Sequence, residues 1–193
     1  MALILGLVSC EDFLTPKDKS NILEENLFKD REGAEEAVYG LYTQLSKEGL
    51  YGTRIPFIMD LYGQYSKRHV PEGYVDAWPN VYLHENNTDF VKGIFEPLWK
   101  DLYVSVGYVN SLIKNLENWT GKPLKYLDLY KGECYGLRAF IHFDLLRMFG
   151  SPDLNKRGIP YVTEYGAWVT KFSTTKDYYT KIIADLKLAE SLL

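Results

Sequence analysis

Residues Leu124 to Gly150 read LKYLDLYKGECYGLRAFIHFDLLRMFG, and this stretch decides the fold. Leu127, Tyr130, Cys134, Leu137, Ile141, Leu145 and Met148 recur every three or four residues, which lines one side of an α-helix. From Leu137 to Phe149 nine of thirteen residues are apolar, and they fall on every side of that helix. A helix that is apolar all round is one that other elements surround. Arg138 lies at the edge of the stripe, where a charge needs a partner, so a structural buried charge held by an ion pair or by carbonyls is expected there. Gly150 and Pro152 stop the helix, as glycine just past the end and proline soon after it do.

The same period runs outward in both directions. Leu98, Trp99, Leu102, Tyr103, Val106, Val109, Ile113 and Leu116 predict a helix over Phe95–Trp119. Pro97 is expected in its first turn, because a proline deeper inside breaks the hydrogen-bond ladder. Ala34, Ala37, Val38, Leu41, Tyr42 and Leu45 predict an earlier helix over Arg31–Lys47, with Asp30 placed to cap it. Ile55–Tyr65 predicts a shorter one that tolerates Pro56 in its first turn. Downstream, Thr174-Thr175-Lys176-Asp177 fits a capping box with Asp in the acidic position. Tyr178, Tyr179, Ile182, Ile183, Leu186 and Ala189 line the helix it opens, which is still running at Leu193. The chain therefore reads as truncated at its C-terminus. No strand pattern of comparable strength competes. The expected fold class is all-α, tetratricopeptide-like helical hairpins with long irregular loops, although no clean self-similarity at about 34 residues is present.

Composition narrows the function. The 193 residues carry 22 basic and 26 acidic side chains, a net charge of −4, without a basic cluster. That removes the attraction to phosphate on which nucleic-acid binders rely, so no nucleic-acid partner is expected. No run approaches the roughly 18 apolar residues of a membrane-spanning helix. Aromatic content is high, at 15% of the chain. Of the two cysteines, Cys134 sits on the helical stripe and reads as a small buried hydrophobe. The other, Cys10, ends MALILGLVSC, a short apolar run closed by Ser9, which looks like the tail of a bacterial lipoprotein signal with Cys10 as the lipidation site. Acyl chains there would tether the mature protein to a membrane without spanning it. No Lys or Arg precedes the run, so either the true start lies upstream or the segment is a plain N-terminus that contains a cysteine. The expected division is a signal at residues 1–10 and one helical region over 11–193.

Four features, in order along the chain, together resemble the SusD/RagB family of outer-membrane nutrient-binding lipoproteins. They are the lipobox with its acidic follow-on, Cys10-Glu11-Asp12-Phe13-Leu14, and the first helix, FKDREGAEEAVYGLYTQL from Phe28 to Leu45. Next come Trp99-Lys-Asp-Leu-Tyr103 and Asn110-Ser-Leu-Ile113, similar to the family's W-x-x-x-Y…N-x-x-I helix. The most specific is Gly132-Glu133…Leu137-Arg138-Ala139…Phe143-Asp144-Leu145…Phe149-Gly150, followed by Gly158-Ile-Pro160-Tyr. The resemblance covers nearly the whole chain as the N-terminal part of longer family members. It implies a surface-exposed, lipid-anchored, non-catalytic protein of the cell outer membrane. Such a protein binds an oligosaccharide or polysaccharide, or sometimes peptide, and delivers it to a TonB-dependent (SusC-like) transporter.

Sugar recognition needs flat apolar faces for pyranose rings and amides or carboxylates for hydroxyls. The irregular stretch before the W-x-x-x-Y helix holds that mixture, and the resemblance places part of the family's glycan-binding aromatic arc there. Trp78 and Tyr82 are the leading candidates, with Tyr74 and Asn80 beside them. The alternative is that these rings plug the helical core or face the transporter. Tyr161, Tyr165 and Trp168 form a second aromatic loop, expected to pack on further chain rather than on ligand, while Trp99 and Tyr103 read as core. No catalytic residue is expected, since the chain has no G-x-S-x-G elbow, H-E-x-x-H, Walker loop or G-x-G-x-x-G. No metal or other cofactor is expected either. His69, His84 and His142 lack ligand spacing, and Asn86-Asn87-Thr88-Asp89 lacks the EF-hand pattern of a calcium loop. The competing class is a helical protein–protein interaction module without a small ligand.

Overall fold

A computed structural model describes residues 28, 30–65, 78–85, 87–120, 126–166 and 171–193. Among them the fold is all-α with one small β-ribbon. Helix α1 is Arg31–Leu45, followed by a wide turn at Glu48–Gly52, and α2 is Arg54–Tyr62. A single-turn α3 covers Pro79–Tyr82, and two long helices follow, α4 at Asp89–Glu117 and α5 at Leu127–Phe149. Strands β1 (Arg157–Pro160) and β2 (Phe172–Thr174) precede α6, Thr175–Leu192. The signal-like residues, Cys10, Tyr74 and Trp168 all lie outside the described residues.

Local chemistry sets the helix starts. The Asp30 carboxylate accepts from the Gly33 amide at 2.9 Å and caps α1. Thr88 caps α4 through the Val91 amide at 3.3 Å, and Thr174 caps α6 through the Asp177 amide at 3.1 Å. Each satisfies one of the amides left over at a helix start. Gly150 ends α5 with φ −86°, so its glycine is not there for a left-handed turn. A Cβ at that position would meet Leu146 Cδ1 at 2.4 Å and the Leu146 carbonyl oxygen at 2.7 Å, and close approach explains the residue.

Side-chain pairs give the helix directions. Tyr135 meets Glu117, Arg138 meets Asn110 and Trp99 meets Phe149, so α4 and α5 run antiparallel. Arg138 meets Asp185 and His142 meets Tyr178, so α5 and α6 are antiparallel too. α5 thus lies between its neighbours, but it is not covered all round as expected: Phe140 and Phe143 are 46% and 38% exposed, so part of its apolar surface faces outward. Its Cys134, Ala139, Ile141 and Leu145 are fully buried together with Leu98, Leu102, Val106 and Val109 of α4. Burial pushes the Cys134 thiol up to about 12, and the residue behaves as a hydrophobe.

Two expectations need correction. Helix α4 starts at Asp89 rather than Phe95, so Pro97 sits in its third turn, not its first. The buried Val91 and Ile94 continue the spacing of Leu98 and Leu102, and burial of that face outweighs the one hydrogen bond that proline removes. The segment after α5 is not wholly irregular either. β1 pairs antiparallel with β2, Arg157 opposite Thr174 and Pro160 opposite Phe172, with a bulge between. Three helical side chains hold the continuation of β1. Tyr103 donates to the Pro160 carbonyl at 2.7 Å, and Asn110 and His142 both donate to the Val162 carbonyl, at 3.1 and 3.2 Å. These partners lie more than 50 residues away for Tyr103 and Asn110, which is why periodicity did not reveal the ribbon.

Candidate functional site

Helix α3 is one turn long, opened by Pro79 at a position where a missing amide costs nothing. The Tyr82 amide donates to the Trp78 carbonyl at 3.2 Å, so Trp78 and Tyr82 sit at the two ends of this turn. Val81, with no exposed surface, pins the turn to the core. Trp78 is partly buried, and its ring meets Phe57 of α2 edge-to-face at 5.0 Å and Phe90 of α4 at 5.5 Å. Such T-shaped contacts fix ring orientation and add about 0.5–1.5 kcal/mol each beyond area burial. Tyr82 is also partly buried. Asn80 lies on the same turn.

Two residues with left-handed backbone flank this region, Gln64 at φ 52° and His84 at φ 60°. Such conformations persist in non-glycine residues when their surroundings over-determine them. Here Gln64 Nε2 donates to the Tyr82 carbonyl at 3.1 Å, and His84 Nε2 donates to the Tyr62 carbonyl at 3.0 Å. The His84 ring also stacks on Tyr62, centroids 4.8 Å apart and planes 18° off parallel. The end of α2 and the turn after α3 are therefore tied by two hydrogen bonds and one stack.

The aromatic array continues past Tyr62. Phe95 lies 5.5 Å from it, and Phe149 stands edge-on to both Phe95, at 5.8 Å, and Trp99, at 5.0 Å. Between these rings is a cleft of about 440 Å³, walled further by Val91 and Met148 and edged by Lys92 and Glu96. Burial raises the Tyr62 hydroxyl above its ordinary range. Trp99 is therefore not wholly core: part of it faces this cleft. The signal available in the sequence was the i, i+4 pair Phe95 and Trp99, one turn apart on α4. Phe149 and Tyr62 are brought in only by tertiary packing.

Deeper in, Arg138 is 6% exposed and pairs at two points with Asp185 of α6, Nε to Oδ2 at 2.7 Å and Nη2 to Oδ1 at 2.8 Å. Its Nη1 donates to Asn110 Oδ1 at 3.1 Å. Although burial works against its charge, the hydrogen bonds and charge of Asp185 leave the guanidinium pKa raised. Tyr161 completes the group, donating to Asp185 Oδ2 at 2.5 Å. Tyr161, expected to pack on further chain, is 3% exposed and packs on His142 and Tyr178 instead, whereas Tyr165 is 54% exposed. Asp185, 47 residues from Arg138, carried no mark in the sequence.

Among the described residues no three His, Cys, Asp or Glu side chains gather as a metal site, and no helix is long and apolar enough to cross a membrane. Of the sequence candidates, the structure brings Trp78, Tyr82 and Asn80 onto one turn.

A model of the family described as SusD-like, starch-binding and associating with the outer membrane, matches residues 36–193. SusD-like protein P2 of Formosa agariphila is 25% identical over 200 residues, covering 100% of this chain and 37% of its own length. SusD-like protein P38 of the same organism is 26% identical over 196 residues, covering 98% and 35%. The chain thus spans about a third of the length of these curated relatives.

Proposed function

The chain belongs to the SusD-like family, described as starch-binding and associating with the outer membrane, and from that premise we propose that it is a non-catalytic glycan-binding lipoprotein. In this reading Cys10 carries the lipid that tethers it to the outer membrane with its helical region at the cell surface. It hands oligosaccharide to a TonB-dependent, SusC-like transporter. The observation that supports glycan binding most directly is the placement of Trp78 and Tyr82 on one turn, with the Trp78 ring held edge-to-face by Phe57 and Phe90. A ring already fixed in orientation loses little freedom when a pyranose stacks on it, so more of the contact energy reaches affinity. The Tyr82 hydroxyl supplies donor and acceptor chemistry of the kind that sugar hydroxyls require.

The test is titration of the purified chain with a panel of neutral oligosaccharides, followed by tryptophan fluorescence. At least one member is expected to change the emission, and Trp78→Ala is expected to lose binding of that sugar with its circular dichroism unchanged. If no glycan binds and a protein partner co-purifies instead, the interaction-module reading replaces this one.

A further inference from the structure

We propose that the cleft between α2, α4 and the end of α5 is a second pyranose subsite, separate from the Trp78 turn, with Lys92 and Glu96 as its hydroxyl-binding pair. The inference rests on the glycan-binding reading above and adds a site to it. Three observations carry it.

The first is the chemistry of the walls. Tyr62, Phe95, Trp99 and Phe149 present four aromatic rings to one space of about 440 Å³, within the roughly 300–1,000 Å³ of small-ligand sites. Each ring is partly exposed, so apolar surface remains for a ligand. The second is rigidity. Phe149 lies nearly perpendicular to Phe95 and to Trp99, at 86° in both cases, and Tyr62 stacks on His84 with centroids 4.8 Å apart. The rings therefore cannot fold in to fill the cleft without giving up contacts they already make. The third is the rim. Lys92 and Glu96 are four residues apart on α4, hence on one face, and both are exposed. One offers only donors and the other only acceptors, the complement of a pair of neighbouring sugar hydroxyls that each donate and accept.

A mostly apolar wall with one opposed charge pair suits a neutral sugar that shows a broad C–H face. A sulfated or carboxylated residue would set its charge against Glu96, and Lys92 already lies 3.9 Å from the Asp89 carboxylate. Phe90 connects the two sites, since it packs on Trp78 and immediately precedes Val91 of the cleft wall. One oligosaccharide could then engage both, and two linked contacts raise affinity beyond either alone.

The experiment is calorimetric titration of the chain with maltoheptaose and cellohexaose, comparing wild type, Trp78→Ala and the exposed-rim variant Lys92→Ala/Glu96→Ala. The rim variant is expected to keep its thermal midpoint and to bind the preferred sugar at least tenfold more weakly. A further variant, Trp99→Phe, titrated with the same sugars and followed by tryptophan fluorescence, is expected to bind while losing part of the emission change. If the wild-type chain binds and the rim variant matches it, the second subsite is wrong while the glycan-binding reading stands. If the wild type binds neither sugar, both fall for these glucans. If the rim substitutions instead abolish a concentration-dependent dimer seen by sedimentation, the cleft belongs to a second copy and the proposal is overturned.

Discussion

The imidazole of His142 and the phenol of Tyr161 stack in the interior, ring centroids 3.9 Å apart and planes 20° off parallel. His142 comes from the middle of α5 and Tyr161 from the segment that leaves β1. The Val162 carbonyl can only accept, so Nε2 of His142 carries the proton, and Nδ1 accepts from the Tyr178 hydroxyl at 2.6 Å. One neutral ring thereby joins α5, α6 and the β1 continuation.

That ring makes stability depend on pH. Burial, aided by the nearby charge of Arg138 and opposed by the Val162 carbonyl, holds the His142 pKa down to about 4. An unfolded histidine titrates near ~6.5. The stabilisation is fully present above that value. It falls as pH drops from about 6.5 to about 4, because there the unfolded chain takes a proton the folded one refuses. The expected loss across that window is about 3 kcal/mol. Urea unfolding of wild type and His142→Gln at several pH values checks it: the variant should lack this part of the slope, and parallel slopes would refute it.

Removal of one partner of the Arg138–Asp185 pair should be costly. Asp185→Ala leaves a guanidinium buried without its counter-charge, for which the expected cost is about 3–5 kcal/mol. Replacing both together, as Arg138→Met with Asp185→Leu, should cost less than Asp185→Ala. Chemical denaturation of the three proteins gives the comparison. A single-variant loss below about 1 kcal/mol would mean that the pair does not hold α5 to α6.

Pro97 offers a change in the other direction. It is exposed in the third turn of α4 and supplies no amide to the Gly93 carbonyl. Pro97→Ala restores that bond and should stabilise the chain by about 1–3 kcal/mol, read as a rise in thermal midpoint. An unchanged or lowered midpoint would show that the ring is compensated locally.

Lipid anchoring through Cys10 has its own test. Expressed with a functional leader in a bacterial host that acylates lipoproteins, the protein should partition into detergent and incorporate labelled fatty acid. Cys10→Ala should move it to the aqueous phase, since acyl chains contribute about 0.8 kcal/mol per buried methylene to membrane affinity. Equal partitioning of both forms would exclude Cys10 as the anchor.

The helices were legible because burial of one face writes a period into the chain. Val38 and Leu41, Leu102 and Val106, Cys134 and Leu145 all mark their helices from sequence, and Asp30 and Thr174 mark two starts. Arg138 was legible as a charge that demands a partner, because an apolar stripe around a guanidinium is a local pattern. What no local pattern holds is which distant group answers it. Asp185, Asn110 and Tyr161 reach Arg138 only after α4, α5 and α6 have packed. The same holds for the site. Trp78 and Tyr82 stand close in sequence and could be nominated from it, whereas Tyr62, Trp99 and Phe149 become walls of one cleft only when three helix ends converge. Periodicity reports how much of each helix leaves water. The identity of the atoms that replace the water is a property of long-range packing, and that alone decided the polar network and the aromatic cleft.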